Sequence, residues 1–126
     1  MKKILKKNDL LIVKLGGSVI TDKQKMFKAR IEKINKICEV ISKLNAKKIL
    51  IHGGGSFAHP LAKRYQLNSG YKSENQLIGF SETKIKLIEL SEIILKSLKR
   101  HNLSSMLFIP SSFIIARNSR ISKIDL

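Results

Sequence analysis

The sequence predicts an α/β fold, a mostly parallel sheet flanked by helices in an αβα sandwich. Three observations carry that prediction. Two short apolar runs, Leu10–Val13 and Lys48–Ile51, each lead into a glycine turn. Between them lies a segment whose apolar residues recur at intervals of three and four, the stripe of an amphipathic helix. Strand, helix and strand in that order make a parallel βαβ unit with a right-handed crossover. At 126 residues the chain is long enough for one domain with a real core, and its 43% hydrophobic content is ordinary for a globular protein. No internal repeat, low-complexity tract or interdomain linker divides it.

Leu10-Leu11-Ile12-Val13 is continuous rather than alternating and reads as a strand buried on both faces. Thr21 to Lys28 reads as a polar, exposed connection. From Arg30 to Asn45, the residues Ile31, Ile34, Ile37, Cys38, Ile41 and Leu44 form one helical stripe. Lys48-Ile49-Leu50-Ile51 reads as the second buried strand. Pro60 has to occupy the first turn of a short helix running through Leu61 to Leu67, because a later proline would break it. Asn68 to Asn75 reads as a loop. Leu77 to Arg100 reads as a long helix with Ile85, Ile88, Leu90, Ile94, Leu95 and Leu98 along it and Lys99, Arg100 and His101 at its C-terminal end. Ser105 to Ile109 is expected as a third strand and Pro110–Ser112 as a turn. Phe113 to Ala116 is expected as a fourth strand, turning back at Asn118-Ser119 through Arg120 and Ile121 as a hairpin.

The single cysteine, Cys38, excludes an intramolecular disulfide and sits on the apolar stripe as a small core residue. Net charge is +16, which would suit a polyanion. The lysines are nevertheless scattered over helix faces, without aromatic interleaving, so they read as solvated surface rather than a nucleic-acid interface. Lys2, Lys3, Lys6 and Lys7 are the one dense basic stretch and read as a solvated leader. The run Leu10–Val13 is broken by Lys14 and precedes no small-residue cleavage site, so it is no secretory signal. No stretch reaches the ~18 apolar residues of a membrane span. A cytoplasmic protein with no membrane partner is expected.

The chemistry concentrates in Lys14-Leu15-Gly16-Gly17-Ser18 and in Ile51-His52-Gly53-Gly54-Gly55-Ser56-Phe57-Ala58-His59-Pro60. Glycine lets backbone N–H groups approach an anion closely. Ligands of open α/β sheets bind beyond the carboxyl ends of the strands, where both turns fall. Lys14 near the end of an apolar strand would be costly if buried and idle. His59, beside the start of a helix, is well placed to donate to a bound phosphate. His52 reads as capping a strand end through a backbone hydrogen bond, and Lys23 taken alone as a surface lysine. Neither the P-loop pattern nor the dinucleotide fingerprint is present, and no His and Cys pair has metal-ligand spacing.

Together, Lys14 to Lys23, the segment His52 to Pro60, Gly79-Phe80 and Pro110-Ser111-Ser112-Phe113 resemble the archaeal-type isopentenyl phosphate kinases of the amino acid kinase superfamily. The resemblance implies transfer of phosphate from ATP, with Mg²⁺, to isopentenyl phosphate, giving isopentenyl diphosphate for isoprenoid synthesis. It implies that Lys14, Lys23 and His59 are the catalytic set. Lys14, Gly16, Gly17, Ser18 and Gly55 would lie along the ATP phosphates. Gly54, Gly55, Ser56 and His59 would hold the substrate phosphate, and Lys23 would stabilise charge on the transferring group. Helix residues from about Leu77 to Leu90 would shape the pocket for the prenyl tail. Ala58 departs from the glycine usual at that place in the family.

The resemblance covers only the amino-terminal, substrate-binding half of the kinase fold. Residues 1–126 are therefore expected to be one partial domain without the nucleotide-binding half, a truncated form inactive alone. A homodimer, or union with a separate carboxy-terminal half, is implied. A noncatalytic phosphate-binding remnant, or a kinase for another small phosphate or phosphonate, are the alternatives.

Overall fold

Leu10–Leu15 forms strand β1 and Lys47–His52 strand β2 in a computed structural model that describes residues 6–125. The two strands pair in parallel, from Leu10 opposite Lys47 to Leu15 opposite His52. Between them run a single turn of helix, α1 (Gly17–Ile20), and α2 (Ile31–Ser42). After β2 come a 3-10 turn at Gly55–Phe57, helix α3 (His59–Arg64), a second 3-10 turn at Leu67–Ser69 and the long helix α4 (Glu74–Arg100). The class and the parallel βαβ unit are as the sequence predicts. Lys2 and Lys3 of the basic leader lie outside the described residues, and Lys6 and Lys7 are exposed.

The core is built where α2 and α4 meet the inner face of the strands. Ile34 and Cys38 of α2, Leu90, Ile94 and Leu98 of α4, and Leu15, Ile20 and Phe57 are buried in one cluster, with Val13 and Leu50 packed against it. Cys38 is fully enclosed, the small core residue its spacing indicated. Ser97 Oγ donates to Asn35 Oδ1 across the two helices at 2.7 Å. Lys48 does not act as part of an apolar run. Its ammonium donates to the Leu44 and Ala46 carbonyls at 2.7 and 2.9 Å, satisfying acceptors left beyond the end of α2.

The strands are not buried on both faces. Leu10 and Ile12 of β1 are 57% and 60% exposed, and Ile49 and Ile51 of β2 are 46% and 50% exposed. Side chains alternate across a strand, so Leu15 points into the helical layer while Lys14 stands with Leu10 and Ile12 on the outer face. Among the described residues no element covers that outer face. Continuous apolar strands usually accompany a parallel sheet covered on both sides, which is why the run was legible as buried and is half open here.

Helix α4 starts three residues earlier than its apolar pattern indicates. Ser73 and Gln76 form a reciprocal capping box, satisfying amides that the first turn leaves unpaired. The Gln76 amide also donates to the Gln66 carbonyl at 2.9 Å. The buried line of α4 is rich in small residues, including Gly79, Thr83, Ser91 and Ser97, whereas Ile85 and Ile88 are exposed. The reason is close approach from the facing elements. A Cβ on Gly79 would overlap the Tyr65 ring, so the bulky residues of this half of α4 stand on its other faces.

Ser105–Ile109 forms no strand. It pairs with no described residue, and Met106 and Phe108 are 80% and 67% exposed. Pro110–Ser112 is a 3-10 turn. The fourth predicted strand is β3 (Ile114–Arg117), which pairs antiparallel with β4 (Arg120–Ile124) and not with the main sheet. Asn118 and Ser119 between them have φ of 49° and 59°, the left-handed pair of a tight hairpin turn.

The Gly79–Tyr65 approach leaves no room for a methyl group. Gly79→Ala is expected to destabilise the fold by about 1–3 kcal/mol, read as a lower urea midpoint. Ile85→Ala, on the open face, should change it by less than about 0.5 kcal/mol.

Candidate phosphate-binding site

Because β1 and β2 are parallel, the turns that follow them leave the sheet at one edge. The Gly53 amide donates to the Leu15 carbonyl at 3.0 Å, starting the second turn directly against the first. Beyond that bond the two turns meet backbone to backbone. A Cβ on Gly17 would lie 2.5 Å from the Gly55 nitrogen, and one on Gly53 would lie 3.0 Å from the Gly17 nitrogen. Gly55 has φ of +49° and abuts the Gly17 carbonyl and the Thr21 hydroxyl, so a side chain there would be both strained and obstructed.

Thr21 locks the pair. Its hydroxyl donates to the Gly17 carbonyl at 2.6 Å and accepts the Ser56 amide at 3.0 Å, in a fully buried position. Thr21 was expected in a polar, exposed connection, and the structure corrects that. The segment leaves at Thr21 and returns at Ala29, which bridge antiparallel. The Phe27 amide donates to the Ser56 carbonyl at 3.2 Å, and the Phe27 ring meets Phe57 edge-on at 6.2 Å between centroids. The Lys86 ammonium lies over the Phe27 ring at 5.0 Å. Residues 21–29 are thus a strap tied at two points to Ser56, and Lys23 rides on it.

Among the described residues, the amides of Gly17, Ser18, Gly54 and Gly55 donate to no protein acceptor. The two touching turns therefore carry four unpaired donors, a candidate cradle for an anion, with Gly55 itself buried. Lys14, Ser18, Lys23 and His59 are exposed, and no described residue hydrogen-bonds to or ion-pairs with their side chains. His59 is the first residue of α3, with Pro60 in the same turn. Gly16 precedes α1 as its N-cap. Ser56 is different. Its amide and carbonyl are both taken by the strap, and its Oγ is buried without a partner. The turn therefore uses Ser56 to hold itself, with Gly54 and Gly55 left as its free donors.

His52 points away from the cradle. Its Nε2 lies 2.9 Å from Ser91 Oγ on α4, while Nδ1 is 3.4 Å from the Gly53 carbonyl. Ser91 Oγ also lies 2.9 Å from the Leu87 carbonyl, which can only accept from it. The backbone cap expected for His52 is the weaker of its two contacts. Next to the cradle, a mostly apolar pocket of about 310 Å³ lies between His52, Phe80, Thr83, Leu87, Ile88 and Pro110. Gly54 adjoins it, since a Cβ there would sit 3.0 Å from Leu87 Cδ2. At the far end of α3, the Tyr65 hydroxyl donates to Glu82 Oε2 at 3.0 Å, which pushes the phenol pKa up, with burial adding to it.

The sequence reading did not single out Thr21 or Phe27. A signal for each was present. Thr21 stands four residues after Gly17, the spacing at which a threonine hydroxyl reaches back to a helical carbonyl. Phe27 is the sole aromatic in an otherwise polar segment.

The pattern of the amino acid kinase family matches residues 9–125. The chain belongs to the amino acid kinase family. Among its relatives, the isopentenyl phosphate kinase of Methanocaldococcus jannaschii is 32% identical over 117 residues, 84% of this chain and 45% of the relative. That of Methanothermobacter thermautotrophicus is 32% identical over 123 residues, 93% of this chain and 46% of the relative. Crystallographic coordinates of an isopentenyl phosphate kinase superpose with a TM-score of 0.84 at 32% identity, over 92% of this chain and 50% of that one. The chain spans about half the length of the relatives it matches. No described helix is long and apolar enough to cross a membrane.

Removing the Thr21 hydroxyl strands the buried Ser56 amide. Thr21→Val is expected to cost about 1–3 kcal/mol, whereas Thr21→Ser, which keeps the oxygen, should cost less. Urea unfolding of the two variants beside the parent checks the order.

Proposed function

We propose that this chain provides the substrate-binding half of an ATP-dependent kinase that converts isopentenyl phosphate to isopentenyl diphosphate, a step of isoprenoid biosynthesis. The observation that carries the reading is the amide cradle of Gly17, Ser18, Gly54 and Gly55 beside an apolar pocket. A phosphate with a short hydrocarbon tail has both parts. The relatives' names supply the substrate class.

In this reading an oxygen of the substrate phosphate attacks the γ-phosphorus of ATP, an O–P bond forms, the bond to the β-phosphate oxygen breaks, and ADP leaves. The attacking oxygen is already anionic, so no strong general base is required. The obstacle is repulsion between anions and charge spread over the transferring group. Lys14, Gly16, Gly17 and Ser18 lie along the ATP phosphates, Gly54 and Gly55 bring amides to the substrate side, and Lys23 on its strap meets the transferring group. His59 hydrogen-bonds the substrate phosphate. Preorganised donors of this kind stabilise charge without reorganising during reaction. Phe80, Thr83, Leu87 and Ile88 hold the tail.

Among the described residues no group of three His, Cys, Asp or Glu side chains could hold a metal, and in this reading Mg²⁺ would be carried chiefly by the ATP phosphates. In this reading the remaining groups for the metal and the nucleotide would come from a carboxy-terminal half. The open sheet face bearing Leu10, Ile12, Ile49 and Ile51 is apolar surface against which that part would pack, as a separate carboxy-terminal polypeptide or otherwise, and a homodimer through this half belongs to the same proposal. Because the matched half bears the cradle alone, binding of isopentenyl phosphate without transfer is the second reading, and the one expected of the chain by itself.

Calorimetric titration of the folded chain with isopentenyl phosphate tests the reading. Saturable binding is expected, and its absence sinks the assignment. His59→Ala should weaken binding about 10- to 100-fold, the loss of a charge-assisted hydrogen bond, without shifting the unfolding midpoint. With a complementing half from a relative supplied, Lys23→Ala should lower kcat about a hundredfold and leave KM nearly unchanged.

A further inference from the structure

Lys23 is exposed, yet the loop that carries it is bonded within itself. The Asp22 amide donates to the Lys28 carbonyl at 2.8 Å, the Gln24 amide to Asp22 Oδ1 at 3.0 Å and the Lys25 amide to the Asp22 carbonyl at 3.4 Å. Among the described residues, a single hydrogen bond ties residues 22–28 to another segment, from the Phe27 amide to the Ser56 carbonyl at 3.2 Å. Phe27 has φ of 56°, a left-handed conformation that an aromatic residue adopts only where its surroundings enforce it. Here they do. Its ring packs against the core and meets Phe57 edge-on at 6.2 Å. The Lys86 ammonium lies over the ring at 5.0 Å and is itself held by both Glu89 carboxylate oxygens, at 2.7 and 2.9 Å. Ser56 and Phe57 directly follow Gly54 and Gly55, whose amides have no described acceptor. We propose that Phe27 is a positioning residue that holds Lys23 in register with the glycine turn, so that turn and lysine act together on the two phosphates of a diphosphate monoester. This rests on the reading in which Lys23 meets the transferring phosphoryl group.

The physical argument concerns when entropy is lost. A lysine on a slack loop has to order both backbone and side chain each time it meets a charge. On a pinned strap the backbone part is settled on folding, and the charge arrives preorganised. Glycine or asparagine would take the left-handed conformation of residue 27 at less cost, so the ring contributes something that the backbone bond to Ser56 does not. The contacts that build the cradle do not use that ring. Gly17 and Gly55 meet through their backbones, and Thr21 bonds to Gly17 and Ser56 on its own. Removing the ring should therefore spare the donors for a first phosphate and cost the contribution of Lys23 to a second. A residue that only filled space would weaken the two alike.

The test uses the folded chain with isopentenyl phosphate and isopentenyl diphosphate in parallel calorimetric titrations. The second phosphate of the diphosphate stands in for the transferring group. Lys23→Ala should weaken the diphosphate about tenfold more than the monophosphate, the scale of one charge-assisted hydrogen bond. Phe27→Ala should reproduce that selective loss, and Phe27→Tyr, which keeps the ring, should retain the parent's ratio. The double variant Lys23→Ala with Phe27→Ala should lose no more than either single change, as expected of two residues acting through one contact. Equal weakening of both ligands by Phe27→Ala, or losses that add in the double variant, overturn the proposal. A second measurement needs no ligand. NMR relaxation should give the Lys23 amide of the parent an order parameter of about 0.85, falling below about 0.6 in Phe27→Ala, while the Ile34 and Leu90 amides stay rigid. A mobile Lys23 in the parent, or a rigid one in the variant, rejects the role of Phe27 whatever the chain binds. If the parent binds neither ester, or Lys23→Ala shows no selective loss, the substrate reading or its use of Lys23 fails, and the relaxation result alone decides on Phe27. If Phe27→Ala does not fold, Phe27→Leu takes its place under the same criteria.

Discussion

The structure turns on a contact that only glycine permits, the backbone-to-backbone meeting of Gly17 and Gly55 under the hydroxyl of Thr21. Each strand ends in a turn that would, alone, be a flexible excursion. Pressed together and bonded through one buried oxygen, they become a single rim on which the amides of Gly17, Ser18, Gly54 and Gly55 have no described acceptor. Glycine costs conformational entropy on folding, and here the tertiary contact offsets it. For the proposed function the consequence would be preorganisation, because donors held by the fold do not have to be gathered around an anion.

The same logic shapes α4. Its inner face is small where the neighbouring elements come close and large where the core widens toward Leu90, Ile94 and Leu98. Gly79 admits Tyr65, Ser91 admits His52, and Leu87 presses on Gly54. The helix thereby runs past the glycine turns, the apolar pocket and the core. A helix of 27 residues would be marginal on propensity alone if it lacked this packing.

Charge works on a longer scale. The chain carries a net +16, while the ion pairs among the described residues are short-range links such as Glu39–Lys43, Lys86–Glu89 and Glu92–Lys96. Exposed pairs of this kind contribute about 0–1 kcal/mol each. A positive field of this kind would favour a phosphorylated ligand, and the ammonium groups of Lys14 and Lys23 have no described partner.

The α/β class, the parallel unit, the buried Ile34, Cys38 and Ile41 of α2 (though not Ile31, which is exposed, or Leu44, which lies beyond the helix), the proline-started helix and the Asn118-Ser119 hairpin were legible in the sequence. Each depends on local periodicity or turn chemistry, which a single chain segment carries within itself. The glycine motifs marked the two turns themselves, and the anion they suggested belongs to the proposal. What the sequence could not state was pairwise. That Thr21 is buried, that Ser56 spends its backbone on a strap, that His52 faces Ser91 rather than its own strand end, and that Ser105–Ile109 stays off the sheet are all decided by what packs opposite. Leu10, Ile12, Ile49 and Ile51 make the point most simply. Their apolarity is written in the chain, but whether a face is covered depends on a neighbour, and burial is a property of two surfaces rather than one.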